Sequence, residues 1–343
     1  MKITAHQQAS VFDELQPEWN ELLRRSTSDL LFLTWEWQST WWNAYEAGDL
    51  WVLSCRTDDG RLIGIAPWFI QDNDGERVLR TIGCVDVTDY VDIIADRNCV
   101  EPVQFFLARF LAANRDKFDR INLCNIPEDS PTYTQFPEKL RENDFHADTV
   151  LQEVCPVIHL PNDWEAYLGM LDKKQRHEIR RKIRKAESEA KLERYVVGEE
   201  HDFQAEAERF LSLMAASQPS KAEFLRDPNN LRFFKNILNI TRETGWLRLS
   251  FLKCNDTHVA AYCDFDYNGH ILVYNSGLLP ESYAQLSPGI VLLAYNIKHA
   301  IETGHRVYDF LRGNETYKYR MGAEDTRVYK LVARARVSAK TSA

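Results

Sequence analysis

WLRLSFLKC at 246–254, HVAAYCDFDY at 258–267 and HILVYNSGLL at 270–279 follow one another with almost no chain between them. Each segment is rich in β-branched and aromatic residues, which is typical of strands. Asn255-Asp256 and Asn268-Gly269 separate the segments, and such pairs favour the two-residue turns of β-hairpins. The three segments therefore predict an antiparallel meander of three strands.

The elements around this meander have a counterpart earlier in the chain. After the meander we expect a helix from Pro288 to about Glu302 and two strand-like segments. The first half has helices, then a hairpin starting at Trp51, a helix near Pro102 and a further strand. Both halves thus predict an α+β (mixed α/β) fold, with mixed, mainly antiparallel sheets flanked by helices. We place the domains at 1–154 and 155–343, with a cleft between them as the natural site.

Composition excludes several functional classes for this chain of 343 residues. The formal net charge of −9 gives no bulk attraction to nucleic acid or a membrane. No apolar run approaches the roughly 20 residues of a membrane span, and the first residues lack the apolar stretch of a signal peptide. Seven cysteines occur without a CxxC pair or a histidine cluster, so we expect reduced thiols, no metal site and a cytoplasmic protein.

The segment YDFLRGNETYKYRMG at 308–322 is the first candidate site. Asp309 lies within an apolar strand, where a carboxylate is costly to bury unless it is paired. Arg312, Tyr317 and Lys318 follow closely, and such mixed charge after a strand end often marks the edge of a site. The alternative is a solvated loop with incidental salt bridges.

The segment LSPGI at 286–290 opens the helix after the meander. Ser287 is a good cap and Pro288 suits the first helical position. The free N–H groups of such a helix start attract an anion, and Gly289 and Ile290 would lie beside it. An ordinary helix start is the alternative.

The acidic segment GCVDVTDYVDIIA at 83–95 is the third candidate. Asp86, Asp89 and Asp92 lie close together with Tyr90. Neighbouring carboxylates raise one another's pKa, which suits a general base or a site for a cationic acceptor. A loop that is exposed to water is the alternative.

The helix predicted after Asp163 is strongly basic. Arg176 and Arg180 are one turn apart and so share a face, where they could hold a phosphate or a carboxylate. A solvated basic face explains the same pattern.

Four stretches together carry a family resemblance: FLTWEWQSTWWNAY at 32–45, VTDYVDIIA at 87–95, KKQRHEIRRKIRKAE at 173–187, and the 308–322 segment. This set resembles the tandem-GNAT acetyltransferases of the CelD/BcsL type, which are often labelled as linked to cellulose biosynthesis. It is similar, more distantly, to the Fem-type aminoacyltransferases. The resemblance implies two GNAT-like domains, with the acyl-donor site in the second.

The resemblance also implies a reaction: transfer of an acyl group, such as acetyl, from acyl-CoA to an amine or hydroxyl of a small-molecule or saccharide acceptor. Coenzyme A pyrophosphate would lie at Ser287–Ile290, Lys318 at a phosphate or the reacting carbonyl, and Asp89 or Asp309 would accept the proton. The substrate-binding candidates are Tyr90, Asp92, Arg176, Arg180, Arg312 and Tyr317. A Fem-like donor, aminoacyl-tRNA held by the basic helix, and a binding protein without chemistry are the alternatives.

Overall fold

The computed structural model describes residues 1–84, 87–279, 281 and 283–336. The chain forms two compact units. The first contains Met1–Val154 together with the chain from Arg327 onward, and the second contains Cys155–Thr326. The domain predicted at 155–343 therefore differs from the second unit, because the last strand returns to the first unit.

The first unit has two sheets with helices packed on them. One sheet has the order β1-β3-β4-β7, and the other runs β2-β5-β6-β8-β15 within this unit. Its elements are β1 Lys2–His6, α1 Ser10–Arg25, α2 Trp35–Tyr45, β2 Asp49–Leu50, β3 Val52–Arg56, β4 Leu62–Ala66, β5 Trp68–Asn73, β6 Glu76–Thr81, β7 Ile94–Ala95, α3 Val100–Ala113, β8 Arg120–Pro127, α4 Pro131–Thr134 and α5 Phe136–Arg141.

Aromatic residues dominate the interior of the first unit. Trp19 on α1 and Trp37 and Trp41 on α2 are fully buried, as their helical spacing predicts. Thr34 caps α2 by accepting from the backbone N–H of Trp37. The expected β3–β4 hairpin is confirmed. The segment YVDIIA at 90–95 contains only the short strand β7, and Val91 donates its backbone N–H to the Asn125 carbonyl in a loop contact.

The second unit is built on a single mixed sheet. Its elements are the end of β9 Phe145–His159, α6 Trp164–Met170, α7 Lys173–Glu189, β10 Leu192–Val196, α8 Phe203–Ser217, α9 Pro219–Arg226, α10 Pro228–Glu243, β11 Leu247–Cys254, β12 Thr257–Tyr267, β13 His270–Leu278, α11 Pro288–Glu302, β14 Val307–Asp309, α12 Thr316–Arg320 and the start of β15 Glu324–Ala335.

The expected meander is confirmed as β11, β12 and β13, which pair antiparallel in that order. β10 pairs with β11, and β14 lies between β13 and β9. β14 is parallel to β13 and antiparallel to β9. Mixed sheets with helices in both units confirm the α+β class.

The helices of the second unit differ from the prediction in three places. The single helix expected after Asp163 is two, α6 and α7, because Leu171 is extended and the Asp172 side chain caps α7 by accepting from Gln175 N. Pro219 starts α9, which the sequence analysis did not predict. The short α12 was also missed.

Cysteine oxidation corrects a further expectation. Cys84 and Cys124 form a disulfide, with Cα atoms 6.0 Å apart, because the chain after β6 passes close to β8. Reduced thiols are found at Cys55, Cys99, Cys155, Cys254 and Cys263. Among the residues that the structure describes, no helix is long and apolar enough to cross a membrane.

Candidate active site

The strands β13 and β14 pair over a short distance and then separate. Their parallel register runs from His270 opposite Val307 to Leu272 opposite Asp309, where β14 ends. β13 continues to Leu278 and stays paired with β12 on its other side. Within the part of the chain that the structure describes, one edge of β13 therefore lacks a strand neighbour beyond Leu272. We call residues 273–278 the open edge.

A β-bulge lies at the start of the open edge. Cys263 pairs with Asn275 and the next residue, Asp264, pairs with Val273, so Tyr274 is the extra residue. The Tyr274 ring packs on Phe234, with ring centroids 5.5 Å apart. Bulges re-aim strands and occur often beside active sites. This bulge changes which backbone groups of β13 face the open edge.

Ser276 directs its backbone groups toward the open edge. Leu279 donates its N–H to the Val259 carbonyl of β12, and the groups of an antiparallel strand alternate in direction. The backbone N–H and C=O of Ser276, three residues earlier, therefore point away from β12. Its N–H donates to Asn275 Oδ1 at 2.9 Å, and its carbonyl accepts from Lys221 Nζ at 2.6 Å.

Lys221 belongs to α9 and is partly buried against β13. Burial lowers the pKa of its ammonium to about 8, and the nearby Glu315 carboxylate opposes that shift. A lysine with such a pKa exists in both protonation states near neutral pH. No sequence motif pointed to this residue.

The loop that follows β14 is held by Lys318, which is only 2% exposed. Its Nζ donates to the carbonyls of Leu311, Arg312 and Gly313 at 3.3, 2.8 and 3.0 Å. The same Nζ pairs with Glu315 Oε2 at 2.9 Å. A buried ammonium with these partners fixes the loop, and its three N–H groups are fully used within it.

Asp309 and Arg312 lie at this loop, as predicted. Asp309 is buried, and its Oδ1 accepts from the backbone N–H of Leu311 at 2.7 Å. This bond supports Leu311 in a left-handed conformation with φ of 56°, which is strained for a leucine. Arg312 contributes the carbonyl that binds Lys318. The catalytic and binding roles expected for them remain predictions.

A cleft of about 530 Å³ lies where α7, the start of α11 and α12 meet. Tyr317 and Ile290, both expected at the site, line it together with Met321. Burial raises the pKa of Tyr317, so its hydroxyl stays protonated. The polar and basic lining comes mostly from α7: Lys174, Gln175, His177, Glu178, Arg181 and Lys182, with Arg320 from α12.

The charge in this cleft is positive. Lys174, Arg181, Lys182 and Arg320 face one carboxylate, Glu178. The Arg181 guanidinium donates to both Glu178 oxygens at 2.8 Å and lowers the pKa of that carboxyl. Lys182 Nζ also lies 3.8 Å from Glu178 Oε1. With Lys174 and Arg320, the cations of the cleft outnumber its one carboxylate, which suits an anion with several charges.

Arg176 and Arg180 do not line the cleft. Arg180 instead pairs with Glu165 of α6. The phase of α7 is set by Ile179 and Ala186, which are buried, and this turns the Lys174–Glu178–Lys182 face toward the cleft. Arg176 and Arg180 therefore lie on a different face of α7 from the residues that line the cleft, and their substrate-binding role stays a prediction.

The start of α11 differs from the expected cap. Ser287 has φ of 52°, and its side chain caps no N–H of the helix. Its carbonyl instead accepts from Ile290 and Val291. At Gly289 an added Cβ would lie 2.8 Å from Leu278 Cδ2, so glycine allows α11 to approach the end of the open edge.

The acidic residues of the first unit are arranged differently. Asp92 is buried, and its Oδ2 accepts from the hydroxyls of Ser28 and Ser130. Burial raises its pKa, and these hydrogen bonds oppose the rise. Tyr90 is buried against Phe32. A structural contact thus explains Asp92, and its substrate-binding role stays a prediction.

Asp89 is partly exposed, so its expected role as proton acceptor stays a prediction. Asp86 lies outside the described residues. A cavity of about 640 Å³ in the first unit is lined in part by Arg77 and Trp51. Arg77 is already bound to Asp119 and to the Asp116 carbonyl, and the other charged residues of the lining, Asp49, Asp116 and Lys117, are of mixed sign. Across the described residues, no group of three or more His, Cys, Asp or Glu could hold a metal ion.

Comparison with known proteins assigns the second unit to a domain type. Residues 173–319 match the family model for an acetyltransferase (GNAT) domain. The match runs from α7 to α12 and includes the open edge and the basic cleft. A comparison with curated proteins found no match. The resemblance to the CelD/BcsL type remains a prediction, since no comparison names that family.

Solved structures of similar fold cover nearly the whole chain. A crystal structure of FemX has a TM-score of 0.65 at 12% identity, covering 96% of this chain and 97% of that one. The structure of L-PGS from Bacillus licheniformis has 0.55 at 11%, covering 99% and 96%. The C-terminal domain of a putative lysylphosphatidylglycerol synthetase from Agrobacterium fabrum has 0.55 at 10%, covering 96% and 93%. At these identities the likeness is one of fold.

Proposed function

We propose that the chain is an acyltransferase that uses acyl-CoA, such as acetyl-CoA, and acylates an amine or hydroxyl of a small-molecule or saccharide acceptor. The observation that carries this proposal is the link between the open edge of β13 and the basic cleft. Leu278 ends the open edge and contacts Gly289, and the next residue, Ile290, lines the cleft. One extended ligand can therefore follow the edge and end in the cleft.

Coenzyme A has the chemistry for both parts. Its phosphates are multiply charged and suit Lys174, Lys182 and Arg320, since ammonium and guanidinium groups bind phosphate oxygens through charge-assisted hydrogen bonds. The positive end of the α11 dipole adds to this attraction. Its pantetheine arm carries amides, which can pair with a free strand edge as an added strand does.

Direct transfer is the simplest mechanism for such a site. The acceptor attacks the thioester carbonyl, an oxyanion forms, and coenzyme A leaves as the thiol, with no covalent enzyme intermediate. Asp309 and Asp89 are proton acceptors predicted from the sequence alone, and Asp309 is buried and already accepts from the Leu311 backbone N–H. We assign Lys318 a positioning role, because its donors hold the loop after β14.

Binding of acetyl-CoA by the two faces of α7 tests the donor site. Lys174→Ala and Lys182→Ala should each weaken binding about tenfold or more, since a charge-assisted hydrogen bond contributes roughly 1.5–3 kcal/mol. Arg176→Ala and Arg180→Ala are matched controls on the same helix and should bind as the unmodified protein does. Calorimetry measures both sets. Equal losses in the two sets, or no binding by the unmodified protein, would contradict the donor assignment.

A second candidate, an aminoacyl-tRNA donor, is favoured by one observation. The basic residues of α7 extend beyond the cleft, through Lys173, Arg176, Arg180 and Arg184. A nucleic acid makes many phosphate contacts, so its affinity falls steeply with salt. Tight tRNA binding that is weakened by Arg176→Ala and lost with salt, without binding of acetyl-CoA, would favour this donor. Acetyl-CoA binding without turnover on any acceptor would indicate a binding protein.

A further inference from the structure

Two lysines lie near the end of β14, and their surroundings differ. Lys318 Nζ binds three carbonyls and the Glu315 carboxylate. Lys221 Nζ makes a single hydrogen bond to a described residue, at the Ser276 carbonyl. An ammonium has three N–H donors, so Lys221 has two left for a ligand.

The Lys221 side chain reaches the open edge of β13. Ser276 lies two residues past the Tyr274 bulge, and its carbonyl points away from β12. Lys221 reaches this carbonyl from α9, which packs on α8. α8 can lie close to β13 because residue 277 is glycine: an added Cβ there would lie 2.6 Å from the backbone of Leu213 and Met214. The packing thus brings an amine to the strand edge where the acyl arm is proposed to lie.

We propose that Lys221 is the catalytic base, whose neutral amine takes the proton from the attacking acceptor. This inference rests on the proposed acyl transfer. The acceptor nitrogen or oxygen forms a bond to the thioester carbonyl carbon while its proton moves to the lone pair of Lys221 Nζ. The C–S bond then breaks with its electron pair on sulfur, and Lys221 returns the proton to give the free thiol.

The charges around Lys221 suit this exchange. Burial disfavours the ammonium and makes the free amine available near pH 8. Glu315 favours the ammonium and is the only charged group that contributes to the shift among the residues described. Glu315 is itself held by Lys318, which reduces its pull on Lys221. β13 contributes the Ser276 carbonyl, a neutral acceptor.

Two variants of Lys221 separate the base from a merely cationic or structural residue. Lys221→Arg keeps the charge but cannot lose its proton at these pH values, and Lys221→Met keeps most of the stem. Turnover of acetyl-CoA with an acceptor found in an amine and amino-sugar panel should rise with pH to a plateau, with a midpoint near 8. Both variants should lose about 100-fold or more in kcat and lose this rise, in line with the usual contribution of a general base. Lys235→Met, on α10, is the control and should behave as the unmodified protein.

Direct titration of the amine makes the test independent of the acceptor. ¹³C-methylation of the lysines, followed by NMR, gives the pKa of each, with Lys221 assigned from the peak missing in Lys221→Arg. A Lys221 pKa near 8 supports the inference, and a value near the usual 10.4 overturns it. Full turnover by Lys221→Arg with an unchanged pH profile also overturns it. If the unmodified protein fails to bind acetyl-CoA, the donor proposal fails. The titration then still shows whether the Lys221 amine can accept a proton near pH 8.

Discussion

The two units contain the same strand arrangement and use it differently. In each unit two parallel strands pair briefly and separate: β6 and β8 after Leu79 and Ile121, and β13 and β14 after Leu272 and Asp309. In the first unit the following chain fills the gap, since Asn125 Nδ2 donates to the Thr88 carbonyl. In the second unit the open edge of β13 is bordered by Lys221.

The difference shows that separation of the strands alone does not make a site. In the first unit the Cys84–Cys124 disulfide adds a covalent link across the same region, and Gln152 satisfies the side chain and the backbone N–H of Asn125. In the second unit the open edge is bordered by a titratable side chain, Lys221. We therefore expect substitutions in the first gap to reduce stability and those in the second to reduce activity.

Asp92→Ala should have the largest effect on stability, because it leaves the buried hydroxyls of Ser28 and Ser130 without their acceptor. Loss of such a buried network costs about 3 kcal/mol. Urea unfolding measures the loss, and acetyl-CoA affinity of the folded fraction should not change. A large change in affinity with normal stability would mean that the first gap binds substrate after all.

Lys318→Met should have the next largest effect on stability. It removes the donor from three carbonyls of the loop after β14, which costs about 2 kcal/mol. The melting temperature and turnover should fall together, because the loop loses its fixed shape. Lys221→Met should keep its melting temperature and lose turnover only. If Lys318→Met melts normally and loses turnover, the ammonium acts directly in the reaction.

Asp264→Asn tests a second buried carboxyl group. Unlike Asp92, Asp264 has a carboxyl oxygen, Oδ1, without a hydrogen-bond partner among the described residues. Burial raises the pKa of Asp264 to about 8. A carboxyl with a raised pKa binds its proton more tightly when folded. Its contribution to stability is therefore fully present below about pH 4 and lost as pH rises toward 8.

The stability of the unmodified protein should thus fall across that range more steeply than that of Asp264→Asn. Chemical unfolding at a series of pH values between 5 and 8.5 measures the two slopes. Parallel slopes would show that the carboxyl is ionised in the folded protein, paired with Arg248 or Arg194.

Gly289→Ala should have the smallest effect. Its Cβ would meet the flexible end of Leu278, which can move by a few tenths of an ångström. We expect a loss of less than about 1 kcal/mol and a two- to threefold weaker binding of acetyl-CoA. Gly277→Ala, which meets the backbone of α8, should cost more than Gly289→Ala in the same unfolding assay. The reverse order would mean that the Leu278 side chain cannot move away from the added methyl group.

Local sequence signals were enough to predict much of the second unit. The turns at Asn255 and Asn268 fixed the meander, and both residues have positive φ, as such turns require. The apolar neighbours of Asp309 indicated a buried strand, and Asp309 is buried. Ile290 and Tyr317 were chosen from separate motifs and line one cleft.

Features that depend on packing between distant segments were not predictable. Lys221 lies in a helix whose sequence, PSKAEFLR, has no strong apolar stripe, and no residue of α9 is fully buried. Its position at the open edge becomes visible only through its contact with Ser276, 55 residues later. Asp92 looked like part of an acidic loop because its partners, Ser28 and Ser130, are far away in sequence. The role of such a charged residue can be inferred only when its partners from distant parts of the sequence are known.

The strand β15 determines when each unit can be completed during synthesis. β15 pairs with β8 through Val328–Ala333, so the first unit needs residues that follow the whole of the second. The ribosome therefore releases everything required for the second unit before β8 acquires this neighbour. Domains usually fold in order from the N-terminus. Here the N-terminal unit must wait with an unpaired strand edge, which is a surface prone to aggregation and a natural place for a chaperone to bind.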